Sequence, residues 1–284
     1  MLQIIWDTRG YFFWLLVVSL FCWILERIVP WRQKQKVFRA QIGQDFLWLL
    51  LNGHYAGLVL AYLANWALQP FWNLIKAWGL ETPEQIQLLA EYPLWFQFLA
   101  FVILKDFLEY GIHNLLHRIP WLWEFHKLHH SIEELDWIGN MRFHWMEIVI
   151  YRGLTYLPLV VLGVNSTVIL WIAVFTTLIG HLNHSNLKLD WGSFRYLLNS
   201  PRLHVWHHDV INHKRSGQNF GIVFSLWDFW FGTAYLPAEE QPARLGFDKM
   251  EKFPERFLQR LVYPFFKPGP VPRGKTPFAL FKRT

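Results

Sequence analysis

Twelve of the chain's 13 histidines fall between His113 and His213, and most stand at helical spacing. His113 and His117 make an HxxxH pair. His126, His129 and His130 make HxxHH, and His204, His207 and His208 make a second one. His181 and His184, an HxxH pair, lie between them. Residues three and four apart share one face of a helix, so each group lets one helix present several imidazoles to a metal ion. The four groups supply ten imidazoles, more than one ion of ordinary coordination takes, and the count points to two ions. The lone cysteine, Cys22, sits far away in an apolar run, which excludes thiolate sites. Imidazole without thiolate suits iron, zinc, copper or nickel. A closed zinc site needs only four ligands and leaves half of these histidines without a purpose. A dinuclear iron site uses them all and adds oxygen chemistry. His54 and His213 stand apart from every group and read as structural.

The elements that must position these groups are apolar. Of 284 residues, 53% are hydrophobic and 19% aromatic, while only 17% are charged, against roughly 25% in an ordinary soluble domain. Such a chain is partly dissolved in lipid. The net charge of +6 comes with no nucleic-acid motif and no basic binding stripe. Nucleic acid is therefore excluded as a partner, and an anionic membrane surface accounts for the excess. One cysteine allows no internal disulfide.

Four apolar segments are legible. Gly10 to Leu25 carries no charge and ends at Glu26-Arg27 and Pro30; with no basic start or cleavage site it reads as a retained anchor. Phe46 to Ile75 is charge-free and long enough to span a bilayer. Pro93 to Leu104 runs on into Lys105, Asp106 and Glu109, charges that must face the protein interior at that depth. Gly153 to Leu187 is charge-free and is interrupted at Gly163-Val164-Asn165-Ser166, a turn followed by a helix N-cap. It predicts a helical hairpin with arms of about 16–18 residues, roughly 25 Å each.

The loop after the first segment holds Arg27, Arg32, Lys34, Lys36 and Arg39, while the loop after the second holds only Lys76 beside Glu81, Glu84 and Glu91. The positive-inside rule places the first loop in the cytoplasm and the second outside. Every histidine group then lands at the cytoplasmic interface. The expected fold is all-α: an integral membrane bundle of about four transmembrane helices, multi-pass, with a cytoplasmic helical cap carrying a dinuclear metal site. Residues 1–92 form N-terminal membrane helices and loops, 93–236 the catalytic region, and 237–284 a basic tail containing Pro and Gly.

The wider pattern around the histidines resembles the fatty acid hydroxylase/sterol desaturase superfamily. HNLLH from His113, HKLHHS from His126 and HVWHHD from His204 match its three histidine boxes. Asn140 to Glu147 is similar to its N-x-x-R-x-H-P-x-E element, with Trp145 where proline usually stands. His184-Ser185-Asn186-Leu187, Asn219-Phe220-Gly221 and Leu226-Trp227-Asp228 to Phe231-Gly232-Thr233 resemble further elements. The likeness covers roughly residues 100 to 236. It implies a membrane-bound di-iron oxygenase that uses O2 and external electrons to hydroxylate or desaturate an aliphatic C–H bond of a lipid, a fatty acyl chain or a sterol. It carries over His113, His117, His126, His129, His130, His184, His204, His207 and His208 as catalytic metal ligands for two iron ions. Zinc is an expected replacement in purified protein. His181 lies three residues before His184, on the same helical face, and is expected to be a tenth ligand. His144, with Arg142 and Glu147, reads as structural or as support for the ligands.

Ligating imidazoles need their second nitrogen held by a carboxylate or carbonyl. Asp106, Glu109, Asp190, Asp209 and Asp228 flank the groups, with ion pairs to Lys105 or Arg118 as the competing role for the first two. No G-x-G-x-x-G fingerprint is present, so electrons must come from a separate reductase with a cytochrome or ferredoxin. The substrate partner is a membrane lipid, and oligomeric state is not legible. The segment Trp137 to Trp145 and the hairpin are expected to line an aromatic, laterally open path for one lipid chain, passing Thr176 and Thr177. The competing readings are a carotenoid hydroxylase-type enzyme and a non-enzymatic metal transporter or sensor. A transporter places its ligands at the bilayer midplane, whereas these sit at one interface.

Overall fold

The computed structural model describes residues 7–79, 89–238 and 241–266. Ten helices order the described residues: α1 (Tyr11–Ile28), α2 (Ile42–Leu50), α3 (Ala56–Ala77), α4 (Leu94–Arg118), α5 (Pro120–His130), α6 (Trp145–Val161), α7 (Ser166–His184), α8 (Pro201–His207), α9 (Leu226–Trp230) and α10 (Phe257–Val262). Among the described residues only isolated β-bridges interrupt this all-helical pattern.

Punctuation in the sequence sets the boundaries. Pro93 precedes α4, and Pro120 opens α5 at its first position, where its missing N–H costs nothing. Gly163 turns the chain at φ +71°, and the Asn165 side chain accepts from Thr167 N to cap α7. The expected hairpin is therefore α6 and α7, of 17 and 19 residues. Its first arm starts at Trp145 rather than Gly153, because Glu147 and Arg152 find partners inside the protein. The second apolar segment runs without a break through α2, one π-helical turn at Leu51–Tyr55, and α3. At that turn Gly53 meets α1 so closely that a Cβ would lie 2.4 Å from Leu15 Cδ2.

The helices are apolar on the outside. On α4, Trp95, Leu99, Ile103 and Phe107 are exposed at four-residue spacing, while Gln97, Phe101, Lys105 and Asp106 are buried on the opposite face. Val17, Leu20, Phe21 and Ile24 make a similar exposed stripe on α1. A contiguous apolar exterior of this size is stable against lipid, not water. Among the described residues two helices, α1 and α7, are long and apolar enough to cross a bilayer by composition alone. The chain is a membrane protein.

Packing brings one end of these helices together. α1 lies along α7, α4 against α5, α6 and α7, and α8 against α7. The loop after α1 returns to the histidine-bearing end of α7: Trp31 N donates to Asn186 O (2.9 Å), and Arg32 N donates to the Asn186 side chain (2.8 Å). At the other end, Gln97 near the start of α4 accepts from Asn165 N in the hairpin turn. Glu81 and Glu84 of the second loop lie outside the described residues.

The stretch after residue 236, expected as a tail, is folded back over its described part. Val210 N donates to Arg244 O, and Gly246 N donates to His208 O. Phe247, Phe253, Phe257 and Leu261 pack with Trp48 and Leu128. The interruptions at Pro242, Gly246 and Pro254 hide this packing from a reading of periodicity. Most of the expected extended stretch, 264–277, lies outside the described residues.

Candidate metal centre

Each histidine box sits at a helix end that the packing drives into one place. α4 ends with His113 and His117, α5 ends with His126, His129 and His130, and α7 ends with His184. α8, capped by the Ser200 hydroxyl on Leu203 N, carries His204 and His207, with His208 as its C-cap.

Nine imidazoles form two adjoining groups: His113, His117, His126, His130 and His207 in group one; His129, His184, His204 and His208 in group two. Within each group the ligand atoms lie within 4.8 Å of one another. Helical geometry explains the sorting. Each HxxHH box gives its i, i+4 pair to one group (His126 with His130, His204 with His208) and its remaining histidine to the other. The groups touch through His130 and His208, whose ring centroids are 4.6 Å apart.

The nitrogen spacings fit bound metal. In group two, His184 Nε2 lies 3.2 Å from His129 Nε2, 3.2 Å from His204 Nε2 and 3.3 Å from His208 Nε2. The edge of a tetrahedron of nitrogens around an ion at 2.0–2.1 Å is about 3.3–3.4 Å. His184 Nδ1 donates to Gly180 O (2.8 Å), so its Nε2 presents a lone pair inward. In group one, His113 Nε2 and His126 Nε2 are 3.2 Å apart. The Nε2 atoms of His117, His130 and His207 are buried with no hydrogen-bond partner. Orphaned inward nitrogens are what an all-imidazole donor set offers to iron or zinc.

Burial keeps these ligands neutral. Desolvation holds His126, His129, His130, His204, His207 and His208 well below the ordinary histidine pKa of 6.5, and the neighbouring imidazoles lower them further. A neutral imidazole is the ligating form.

His181 lies outside both groups, with Nδ1 2.9 Å from Asn140 Nδ2 and Nε2 3.2 Å from Ser19 Oγ. Sharing a face with His184 is not enough; one helical turn back toward the apolar end, His181 meets α1 and the Trp137–Met141 turn instead. Its two ring nitrogens bridge those elements to α7. His144 is also outside the groups. Its Nε2 donates to Leu261 O, and Trp145, in the unusual position, donates its indole N–H to the same carbonyl. His54 stacks near Phe12, and His213 pairs with Asp209 (2.7 Å) over Tyr235.

The flanking carboxylates mostly serve other purposes. Glu109 pairs with Lys105 (2.6 Å), Asp190 with Arg202 (2.6 Å). Asp106 accepts from Val223 N, Phe224 N and the Trp227 indole, and Asp228 accepts from Phe220 N and Gly221 N. Among the described residues the one carboxylate on a grouped imidazole is Glu147, whose Oε1 accepts from His126 Nδ1 (2.9 Å). Backbone carbonyls hold His113 (Phe220 O, 2.8 Å) and His207 (Gln218 O, 2.8 Å). A sequence carries no signal for such carbonyls.

The expected aromatic path meets α1. Trp137, Ile138 and Met141 pack with Leu15 and Cys22, and the Tyr11 hydroxyl is 2.6 Å from Thr177 Oγ1. The Thr177 face of α7 is therefore covered.

Comparison with known proteins follows the same residues. Residues 98–233 match the family model described as fatty acid hydroxylase. An ornithine lipid hydroxylase of Rhizobium tropici is 33% identical over 179 residues, 63% of this chain and 53% of that protein. Methylsterol monooxygenase 1-3 of Arabidopsis thaliana is 28% identical over 55% of this chain and 51% of its own length. A cholesterol 25-hydroxylase-like protein of Danio rerio is 26% identical over 75% of this chain and 80% of its own. The chain thus spans about half the length of the first two relatives. No solved structure matches it.

Proposed function

With residues 98–233 a fatty acid hydroxylase domain of the fatty acid hydroxylase/sterol desaturase superfamily, we propose that this chain is a membrane-bound di-iron oxygenase. It hydroxylates or desaturates an aliphatic C–H bond of a lipid. The observation that carries the reading is the convergence of nine buried imidazoles into two adjoining groups at the end of an apolar helical bundle. Relatives named for hydroxylation of an ornithine lipid and oxidation of methylsterols support a lipid substrate.

Group one and group two would each hold one iron. Bound iron supplies the oxidant made from O2 and two electrons, a power that no side chain has. The chain's own residues do the rest. Buried neutral imidazoles hold the ions without neutralising their charge. Glu147 on His126, and the carbonyls of Phe220, Gln218 and Gly180, fix the ring tautomers so that Nε2 faces inward. The close packing of α4, α5, α7 and α8 excludes bulk water, which protects reactive species.

Four spanning segments deliver the groups to the cytoplasmic interface in this reading. The basic loop after α1 lies beside Asn186, at the histidine end, and the positive-inside rule puts that end in the cytoplasm. A separate reductase with a cytochrome or ferredoxin supplies electrons there. Comparative lipid mass spectrometry of cells with and without the protein tests the reading. The expected result is a lipid species heavier by one oxygen, or lighter by two hydrogens, that appears only with the intact chain. Identical lipid profiles under aerobic expression, with metal bound, overturn it.

A further inference from the structure

The peptide units that hold the two carbonyl-bonded imidazoles of group one are pinned from behind. In a trans peptide the C=O and the following N–H point in opposite directions. The Phe220 carbonyl accepts from His113 Nδ1, and the Gly221 N–H of the same peptide donates to Asp228 Oδ2 (2.8 Å). The Phe220 N–H donates to Asp228 Oδ1 (2.7 Å). The Gln218 carbonyl accepts from His207 Nδ1, and the Asn219 N–H of that peptide donates to Thr233 O (3.1 Å). Thr233 Oγ1 in turn donates to Asp228 Oδ1 (2.7 Å).

The local sequence is shaped for this. Asn219 takes a left-handed φ of 54°, which asparagine tolerates better than most residues. Its side-chain amide bonds Leu203 O and Tyr235 O, both at 2.8 Å. At Gly221 a Cβ would lie 2.3 Å from Phe224 O and 2.9 Å from Asp228 Oδ2, so only glycine lets the carboxylate approach.

Among the described residues group two has no such frame. His184 leans on Gly180 O of its own helix. The Nδ1 atoms of His129, His204 and His208 are buried with no hydrogen-bond partner. Outer-shell partners of ligating histidines typically contribute roughly 10–100-fold in metal affinity.

We propose that Asp228 is a positioning residue that, by fixing the peptides behind His113 and His207, makes group one the tighter of the two metal sites and the first to fill. The inference rests on the two-site reading above. Asp228→Asn tests it, because an amide has one acceptor oxygen and presents an NH2 to one of the two backbone N–H groups. The probe is Zn(II), titrated by chelator competition into metal-stripped full-length protein in nanodiscs. Two backgrounds isolate the sites: His184→Ala with His204→Ala leaves group one intact and only two imidazoles in group two, and His117→Ala with His126→Ala and His130→Ala leaves group two intact and only two imidazoles in group one. In the first background Asp228→Asn should weaken zinc binding about 10–100-fold. In the second it should change nothing. Asp228→Glu, which keeps both oxygens on a longer arm, gives the same one-sided loss at smaller size and serves if the amide variant does not fold. Equal weakening in both backgrounds, or none in either, overturns the assignment. A wild-type protein that binds fewer than two zinc ions overturns the two-site reading itself.

Discussion

Glu147→Gln separates what the site needs for metal from what the fold needs without it. Glu147 and His126 are both fully buried, joined by one hydrogen bond of 2.9 Å, and the second carboxylate oxygen has no hydrogen-bond partner. Glutamine keeps the shape and the acceptor for His126 Nδ1–H but removes the negative charge. The charge raises the basicity of the ligating nitrogen, and loss of such a partner typically costs roughly 10–100-fold in metal affinity. That is about 1.4–2.7 kcal/mol. The metal-free protein should respond with the opposite sign or not at all. A buried carboxylate beside a neutral imidazole carries an uncompensated desolvation cost, and its replacement by a neutral isostere is often neutral or stabilising. The assay is metal retention against a graded chelator, paired with thermal melting of the stripped protein. The expected outcome is loss of one metal per chain at 10–100-fold weaker chelation, with an unchanged or raised metal-free melting temperature. Unchanged retention together with a lowered metal-free melting temperature refutes the reasoning and makes Glu147 a structural residue.

Other perturbations have equally definite outcomes. His130→Ala or His207→Ala should abolish lipid product, while His54→Ala, whose ring packs beside Phe12, should leave it; full product from either box variant at matched expression removes that residue from the site. Cysteines placed at Lys36 and at Glu91, both exposed, should label from opposite sides of the membrane, with buried Cys22 silent; labelling from one side sinks the four-segment topology. For the metal-free protein, the pKa values of the six box imidazoles on α5 and α8 are lowered below 6.5 by burial. The unfolded chain therefore binds more protons below that pH, so stability is full above about pH 6.5 and falls as the pH drops through it. Denaturant midpoints measured between about pH 8 and about pH 5 should decline on the acid side, and a flat profile contradicts neutral buried imidazoles.

The histidine site was legible because its ligands come from helices, where spacing in sequence is position on a face. HxxxH and the two HxxHH boxes therefore announced eight of the nine residues that meet in space, and the HxxH pair announced the ninth, His184. The same rule misled at His181, because sharing a face does not fix depth along the helix, and one turn was enough to place that ring against Ser19 and Asn140. What holds the ligands was less legible. Carboxylates near the boxes drew attention, yet Asp106 and Asp228 grip backbone amides of the 220–224 loop, one step removed from the imidazoles. A carbonyl partner exists at every residue, so composition cannot select Phe220 or Gln218. The folding back of residues 241–266 was hidden for a related reason: its contacts are made by scattered aromatic residues and backbone pairs, which leave no periodicity to read.

The arrangement of α4 shows how a lipid chain and a buried metal centre can share one helix. Its exposed apolar stripe, from Trp95 through Leu99, Ile103 and Phe107, ends in exposed Leu115, while His113 two residues earlier is buried. Two residues along a helix are about 200° apart, so Leu115 and His113 face opposite ways at nearly the same height. The lipid-facing surface thus extends to the level of the ligands. Lys105 and Asp106, buried about two turns below His113, are held by Glu109 and by the 223–227 loop. On the proposed lipid reading, the level at which Leu115 is exposed is the level at which His113 joins group one.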